Sequence, residues 1–89
     1  MIFEIDFTKE ALADIERLKK TGDKKLLKKL NSLLLELREH PLTGTGKIER
    51  LKYYSEETWS RRISAEHRLV YRIFDTRVVV LVLSAFGHY

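Results

Sequence analysis

His67-Arg68-Leu69-Val70-Tyr71-Arg72-Ile73-Phe74 alternates in character almost residue by residue, as a strand at the boundary of a core does. In an extended strand neighbouring side chains leave on opposite faces, so Leu69, Tyr71 and Ile73 share one face and Arg68, Val70 and Arg72 the other. The first face needs an apolar layer over it. The second puts two guanidinium groups on a side left uncovered. The stretch therefore predicts a sheet that is covered on one face and basic on the other.

Upstream lies the cover. Thr8 is placed to cap a helix, with Glu10 in the first turn where the helix dipole favours a carboxylate. Ala11, Leu12, Ile15 and Leu18 recur at helical spacing, Lys19 and Lys20 suit the last turn, and Gly22 supplies a stop. Asp23 caps a second helix with the stripe Leu26, Leu27, Leu30, Leu33, Leu34 and Leu37. It ends at His40-Pro41, because proline disfavours the helical conformation in the residue before it. A link of about three residues predicts a helix hairpin.

The short N-terminal run Ile2–Asp6 alternates like a strand. After the loop 42–46 the pattern turns strand-like again, with β-rich runs over 47–54, 58–64, 67–74 and 78–86. The gaps Ser55-Glu56-Glu57, Ala65-Glu66 and Asp75-Thr76-Arg77 predict hairpins and hence antiparallel pairing. The run from Val78 to Leu83 lacks alternation, as expected of a strand buried on both faces. The fold class is α+β in the order β-α-α-β-β-β-β, an antiparallel-dominated twisted sheet with the helix hairpin on one face. At 89 residues the chain is read as one domain, 1–89.

Composition narrows the chemistry. There is no cysteine, which excludes disulfides, a thiolate nucleophile and thiolate metal sites. His40, His67 and His88 lack metal-ligand spacing, so no metal and no cofactor are expected. The N-terminal residues do not read as a secretory signal, and no apolar run approaches a membrane span; a soluble, cytoplasmic protein with no membrane partner is expected. Gly44-Thr45-Gly46-Lys47 falls short of a phosphate loop, since Pro41 stands at the first required glycine, Ile48 follows the lysine and a strand rather than a helix comes next. The net charge of +4 favours polyanions weakly. Its placement says more: Lys47, Arg50, Lys52, Arg61, Arg62, Arg68 and Arg72 lie on the strands and their approach loop, interleaved with Tyr53, Tyr54, Trp59 and Phe86. Guanidinium groups pair with phosphates and aromatics stack on bases, a mixture suited to single-stranded RNA. Solvated strand faces are often basic and aromatic for other reasons, so on composition the two readings stand level.

Metal-free RNA cleavage needs a base for the 2′-hydroxyl proton, a cation for the developing phosphorane charge and an acid for the leaving 5′-oxygen. Glu49, Arg68 and His88 supply one residue of each kind. Taken singly, each also reads as ordinary: a surface carboxylate, a salt-bridge donor and a frayed terminal histidine.

The motifs tip the balance. Gly44-Thr45-Gly46-Lys47-Ile48-Glu49-Arg50-Leu51 resembles the G-x-G-x-x-E-x-L segment of the YoeB/Txe branch of the RelE toxin superfamily. Trp59-Ser60-Arg61-Arg62-Ile63 and Glu66-His67-Arg68-Leu69-Val70-Tyr71 resemble that branch's W-S-R-R-I and E-H-R-L-V-Y, and Gly87-His88-Tyr89 is similar to its terminal H-Y. The resemblance spans the chain, with Ile48 standing where proline is frequent and a variable loop over 53–57. It implies a RelE-like fold and the toxin of a type II toxin–antitoxin system, an mRNA interferase that cuts on the ribosome without a metal. Glu49 would be the general base, Arg68 the transition-state cation and His88 the general acid, with Tyr89 orienting substrate. Lys47, Trp59, Arg61, Arg62 and Arg72 are the expected RNA contacts. The expected partners are mRNA, the ribosome and its rRNA, a cognate YefM/Phd-like antitoxin and a second copy of the chain. The rivals are a ParE-like gyrase inhibitor of the same fold and a module that grips the ribosome without cutting.

Overall fold

The computed structural model describes residues 2–74 and 79–87. The elements run β1 (Glu4–Phe7), α1 (Lys9–Lys20), α2 (Lys24–Glu39), β2 (Glu49–Leu51), β3 (Thr58–Arg62), β4 (Arg68–Phe74) and β5 (Val79–Ser84). This is the expected α+β order. Thr8 and Asp23 cap the helices as their side chains predict, accepting from the backbone N–H of Ala11 and Leu26 at 3.1 Å each. Gly22 leaves α1 at φ +70°, a left-handed conformation that glycine adopts without steric cost.

The five strands form one sheet in the order β1-β5-β4-β3-β2. The pairs β2–β3, β3–β4 and β4–β5 are antiparallel, while β1 runs parallel to β5 along the edge. Both helices pack on the same sheet face. Leu18, Leu33, Leu37, Leu69, Tyr71, Val80 and Val82 are fully buried between the layers, with Ala11, Leu26, Leu30 and Ile63 closing the core. Burying each leucine stabilises the fold by about 2–3 kcal/mol before entropy is counted. The leucine stripe read for α2 is the stripe that packs.

Three expectations are revised. The eight-residue run 47–54 contributes only Glu49–Leu51, because Lys47 sits at φ +49° and the chain turns away after Leu51, leaving Tyr53 98% exposed. Leu12 does not join the α1 stripe and is half exposed; Asp14 is buried in its stead. In β5 the burial alternates after all: Val80 and Val82 face the helices, whereas Leu81 and Leu83 are only partly covered on the other side. Val78 and the connection 75–77 fall outside the described residues.

Candidate active site

The strand register maps the face opposite the helices. Glu49 lies across from Ser60, Ser60 from Val70 and Val70 from Ser84, giving one row over four strands. Two residues along, Arg62 lies across from Arg68. Two residues the other way, Arg72 donates through Nε to Thr58 Oγ1 at 3.2 Å and its Nη1 lies 3.4 Å from the Glu56 carboxylate. Arg68, Arg72, Arg62 and Glu49 thus share one face, as alternation along β4 predicts. Lys47 is exposed on the loop that enters β2. A depression of about 400 Å³ opens beside Glu49 and is lined by Arg50, Leu51, Lys52, Tyr53 and Tyr54.

This face is not a bare lawn of charge. Thr58, Ser60, Val70 and Leu51 are buried at its centre, so the surrounding long side chains stand over a floor of aliphatic and small hydroxyl side chains. Among the described residues, Ser60 Oγ and Arg68 Nη1 are buried side-chain atoms without a hydrogen-bond partner. Native structures leave few such groups, and each calls for an explanation. A guanidinium nitrogen held in low dielectric without a partner binds an anion more strongly than one in water.

Arg61 and Trp59, expected to touch RNA, lie on the other face. Trp59 pairs in register with Tyr71, and Arg61 with Leu69, so both point toward the helices. Trp59 is partly buried against the core. Arg61 has no exposed surface. Its Nη2 donates to the carbonyls of His40 and Thr43, the latter at 2.6 Å, its Nη1 to Thr45 O at 3.4 Å and its Nε to the Tyr71 hydroxyl at 3.2 Å. Tyr71 in turn donates to Pro41 O at 2.8 Å. Burial pushes the Tyr71 hydroxyl above its ordinary value of 10.0, against the pull of Arg61, so it keeps the proton it donates. Arg61 therefore cannot offer its guanidinium to RNA in this conformation. It ties the loop between α2 and β2 to the sheet, and that loop delivers Glu49.

The same loop explains the two glycines before Lys47. Gly44 and Gly46 adopt φ +115° and +95°, and a Cβ on Gly44 would lie 2.6 Å from Glu36 Oε1, one on Gly46 3.0 Å from Arg62 O. They serve close packing rather than phosphate binding. Glu36 holds the loop from α2, accepting from Thr45 Oγ1 at 2.5 Å and Thr45 N at 3.1 Å. The Thr45 hydroxyl bond, helped by the Thr45 N–H and the Arg61 charge, holds the Glu36 carboxyl below its ordinary value of 4.5, against the effect of burial. A carboxylate with a depressed folded pKa stabilises above its unfolded value and loses that contribution as pH falls through the folded value. The advantage of wild type over Glu36→Gln in urea unfolding should thus be full at pH 7 and shrink below about pH 4.5. A pH-independent difference between the two proteins would contradict this.

The segment before His88 is fastened in a way the sequence did not disclose. Ala85 N donates to Asp14 Oδ2 at 3.0 Å in the interior. The Phe86 ring lies between the His67 ring, 4.4 Å between centroids, and the Arg17 guanidinium, 3.7 Å above it. Gly87 N donates to His67 Nδ1 at 2.9 Å, and Arg68 N donates to Gly87 O at 3.1 Å. The chain is therefore pinned to β4 at Arg68 one residue before His88. His88 and Tyr89 themselves lie outside the described residues. Asp14 was legible in part: it sits three residues after Ala11 and four before Leu18, on the buried stripe. His67 stands two residues before Leu69, on the face that alternation turns inward, but its bond to Gly87 had no local sign.

Among the described residues no group of three His, Cys, Asp or Glu could hold a metal ion, and no helix is long and apolar enough to cross a membrane. A helix pair on one face of a five-stranded sheet, with a basic row on the other, is the RelE-like toxin fold. The family described as YoeB-like toxin of bacterial type II toxin-antitoxin system matches residues 7–89, and the chain belongs to that family. It is 48% identical over 68 residues to a Synechocystis protein named Toxin YoeB, covering 76% of this chain and 77% of that one. A YoeB dimer from Staphylococcus aureus superposes with a TM-score of 0.83 at 38% identity, covering both chains fully. The YoeB of a heterotetrameric YoeB–YefM toxin–antitoxin complex from the same organism does so with a TM-score of 0.79, again at 38% identity and full coverage of both chains. The protein is a type II toxin–antitoxin toxin of the YoeB/RelE type.

Proposed function

We propose that the chain is a ribosome-dependent endoribonuclease that cuts mRNA in the A site and so stops translation. The observation that carries this reading is the buried, unpartnered Arg68 Nη1 on the open face, in the same sheet as Glu49 and bonded through its own backbone to the residue before His88. From strand spacing, the Glu49 and Arg68 backbones are about 12 Å apart on the diagonal, close enough for both long side chains to reach one ribose phosphate.

In the reaction the Glu49 carboxylate takes the 2′-hydroxyl proton, and the 2′-oxygen attacks the adjacent phosphorus. Arg68 stabilises the charge that builds on the phosphorane. The bond to the 5′-oxygen breaks as His88 gives that oxygen a proton, with Tyr89 orienting the leaving nucleotide. The products are a 2′,3′-cyclic phosphate and a 5′-hydroxyl, with Glu49 left protonated and His88 left neutral. No metal takes part. Lys47, Arg62 and Arg72 contact the RNA backbone, and Arg62 and Arg68, facing each other as like charges, gain most from a phosphate between them. The protein works in the cytoplasm, where a YefM-like antitoxin neutralises it, and it pairs with a second copy of itself; a YoeB–YefM complex and a YoeB dimer from Staphylococcus aureus support the two partners.

The chemistry is read from the ends it leaves. New 5′ ends on mRNA recovered from treated ribosomes should accept phosphate from a polynucleotide kinase without prior dephosphorylation. New ends that already carry a 5′-phosphate contradict the mechanism.

A further inference from the structure

The bond from Gly87 N to His67 Nδ1 uses the lone pair of a histidine that is only 8% exposed. Because Nδ1 accepts, the imidazole holds its proton on Nε2. Its backbone is equally fixed: His67 N donates to Ser64 Oγ at 3.2 Å, while His67 O accepts from Ile63 N at 3.0 Å and Ser64 N at 3.2 Å. One residue on, Arg68 N takes the Gly87 carbonyl. Two adjacent residues at the start of β4 thus grip both polar groups of one glycine, itself at φ +77°. Nothing within 4 Å would meet a Cβ there, so the glycine is needed for its backbone angle and not for space.

A fastening of this kind exceeds what the core needs, since Ala85 and Phe86 already anchor the segment to α1 through Asp14 and Arg17. What it adds is a fixed place for Gly87 beside Arg68. We propose that His67 is a positioning residue, which by holding Gly87 sets the place from which His88 and Tyr89 act. The proposal rests on the nuclease reading above, in which His88 is the acid. Proton transfer depends on sub-ångström placement, and a displacement of about 1 Å can cost roughly 10²-fold in rate.

His67→Phe keeps the ring against Phe86 and removes the acceptor. His67→Asn loses the ring but returns an oxygen close to the place of Nδ1. Single-turnover cleavage of ribosome-bound mRNA should fall about tenfold or more in His67→Phe, with the toxin concentration for half-maximal rate within about twofold of wild type, and should recover in His67→Asn. Amide exchange at Gly87 should quicken in His67→Phe and not in His67→Asn. When residues 88 and 89 are removed, His67→Phe should lower the residual rate no further, because the two changes act through one group.

If truncation abolishes cutting and His67→Phe cuts like wild type, the positioning role is overturned and the nuclease reading stands. An equal loss in both His67 variants, or a loss confined to half-maximal concentration, also overturns it, since either marks packing or binding. Wild type that does not cut, or a truncated protein that cuts normally, overturns both proposals.

Discussion

Arg61→Leu should cost about 3–5 kcal/mol, since it orphans several buried acceptors at about 1–3 kcal/mol each, partly relieved by relaxation. The loss comes from what remains. The carbonyls of His40, Thr43 and Thr45 and the hydroxyl of Tyr71 lose their donor in a place that excludes water. The Glu36 carboxylate contributes less, since its oxygen is 4.0 Å from Arg61 Nη1 and the glutamate is partly in solvent. For a domain of this size, whose whole stability is on the order of 5–10 kcal/mol, the melting point should drop by roughly 20 °C. Lysine should recover less than half of the loss, because a single ammonium cannot span acceptors that a planar guanidinium reaches from three nitrogens. A change below about 1 kcal/mol, as for an exposed strand residue, would contradict the buried role. Retained stability with weakened RNA binding would return Arg61 to the RNA-contacting face.

Glu49→Gln should lower cleavage on the ribosome by about 10²-fold or more while leaving the fold intact. The substitution keeps the shape and removes the charge and the basicity, one acceptor oxygen becoming an N–H donor. Glu49 is partly exposed at the start of the short edge strand β2, away from the core, so stability should change by less than about 1 kcal/mol. Rates measured with the folded variant at saturating ribosomes separate the chemical step from binding. Equal rates for variant and wild type would remove Glu49 from the base's role. A loss of binding at unchanged maximal rate would make it a contact residue only.

The layout of the fold was legible because its signals are local. Thr8 and Asp23 cap helices through contacts three residues away, the leucines of α2 mark its buried stripe, and alternation in β4 divides Leu69 and Tyr71 from Arg68 and Arg72. Facing was legible only where flanking residues declared it. Arg61 stands two residues from both Trp59 and Ile63 and so shares their face, and that apolar company was the sign that Arg61 turns inward. A preference for arginine at phosphate contacts outweighed it. The length of β2 was not legible, since Tyr53 and Tyr54 have strand propensity but no strand partner: pairing begins at Leu51 with Thr58. The grip on Gly87 joins residues 20 apart in sequence, and no local pattern foretells which histidine nitrogen accepts. Within the candidate site, the residue types came from motif and chemistry. The shared face of Glu49, Arg62, Arg68 and Arg72 came from strand register.

Cutting that depends on the ribosome is read by primer extension on a defined mRNA in a reconstituted translation system with the purified protein. New ends are expected within codons held in the A site, absent when ribosomes are omitted. Intact mRNA with translation arrested would contradict it and point to a module that binds without cutting, and intact mRNA with translation unimpeded would turn attention to gyrase.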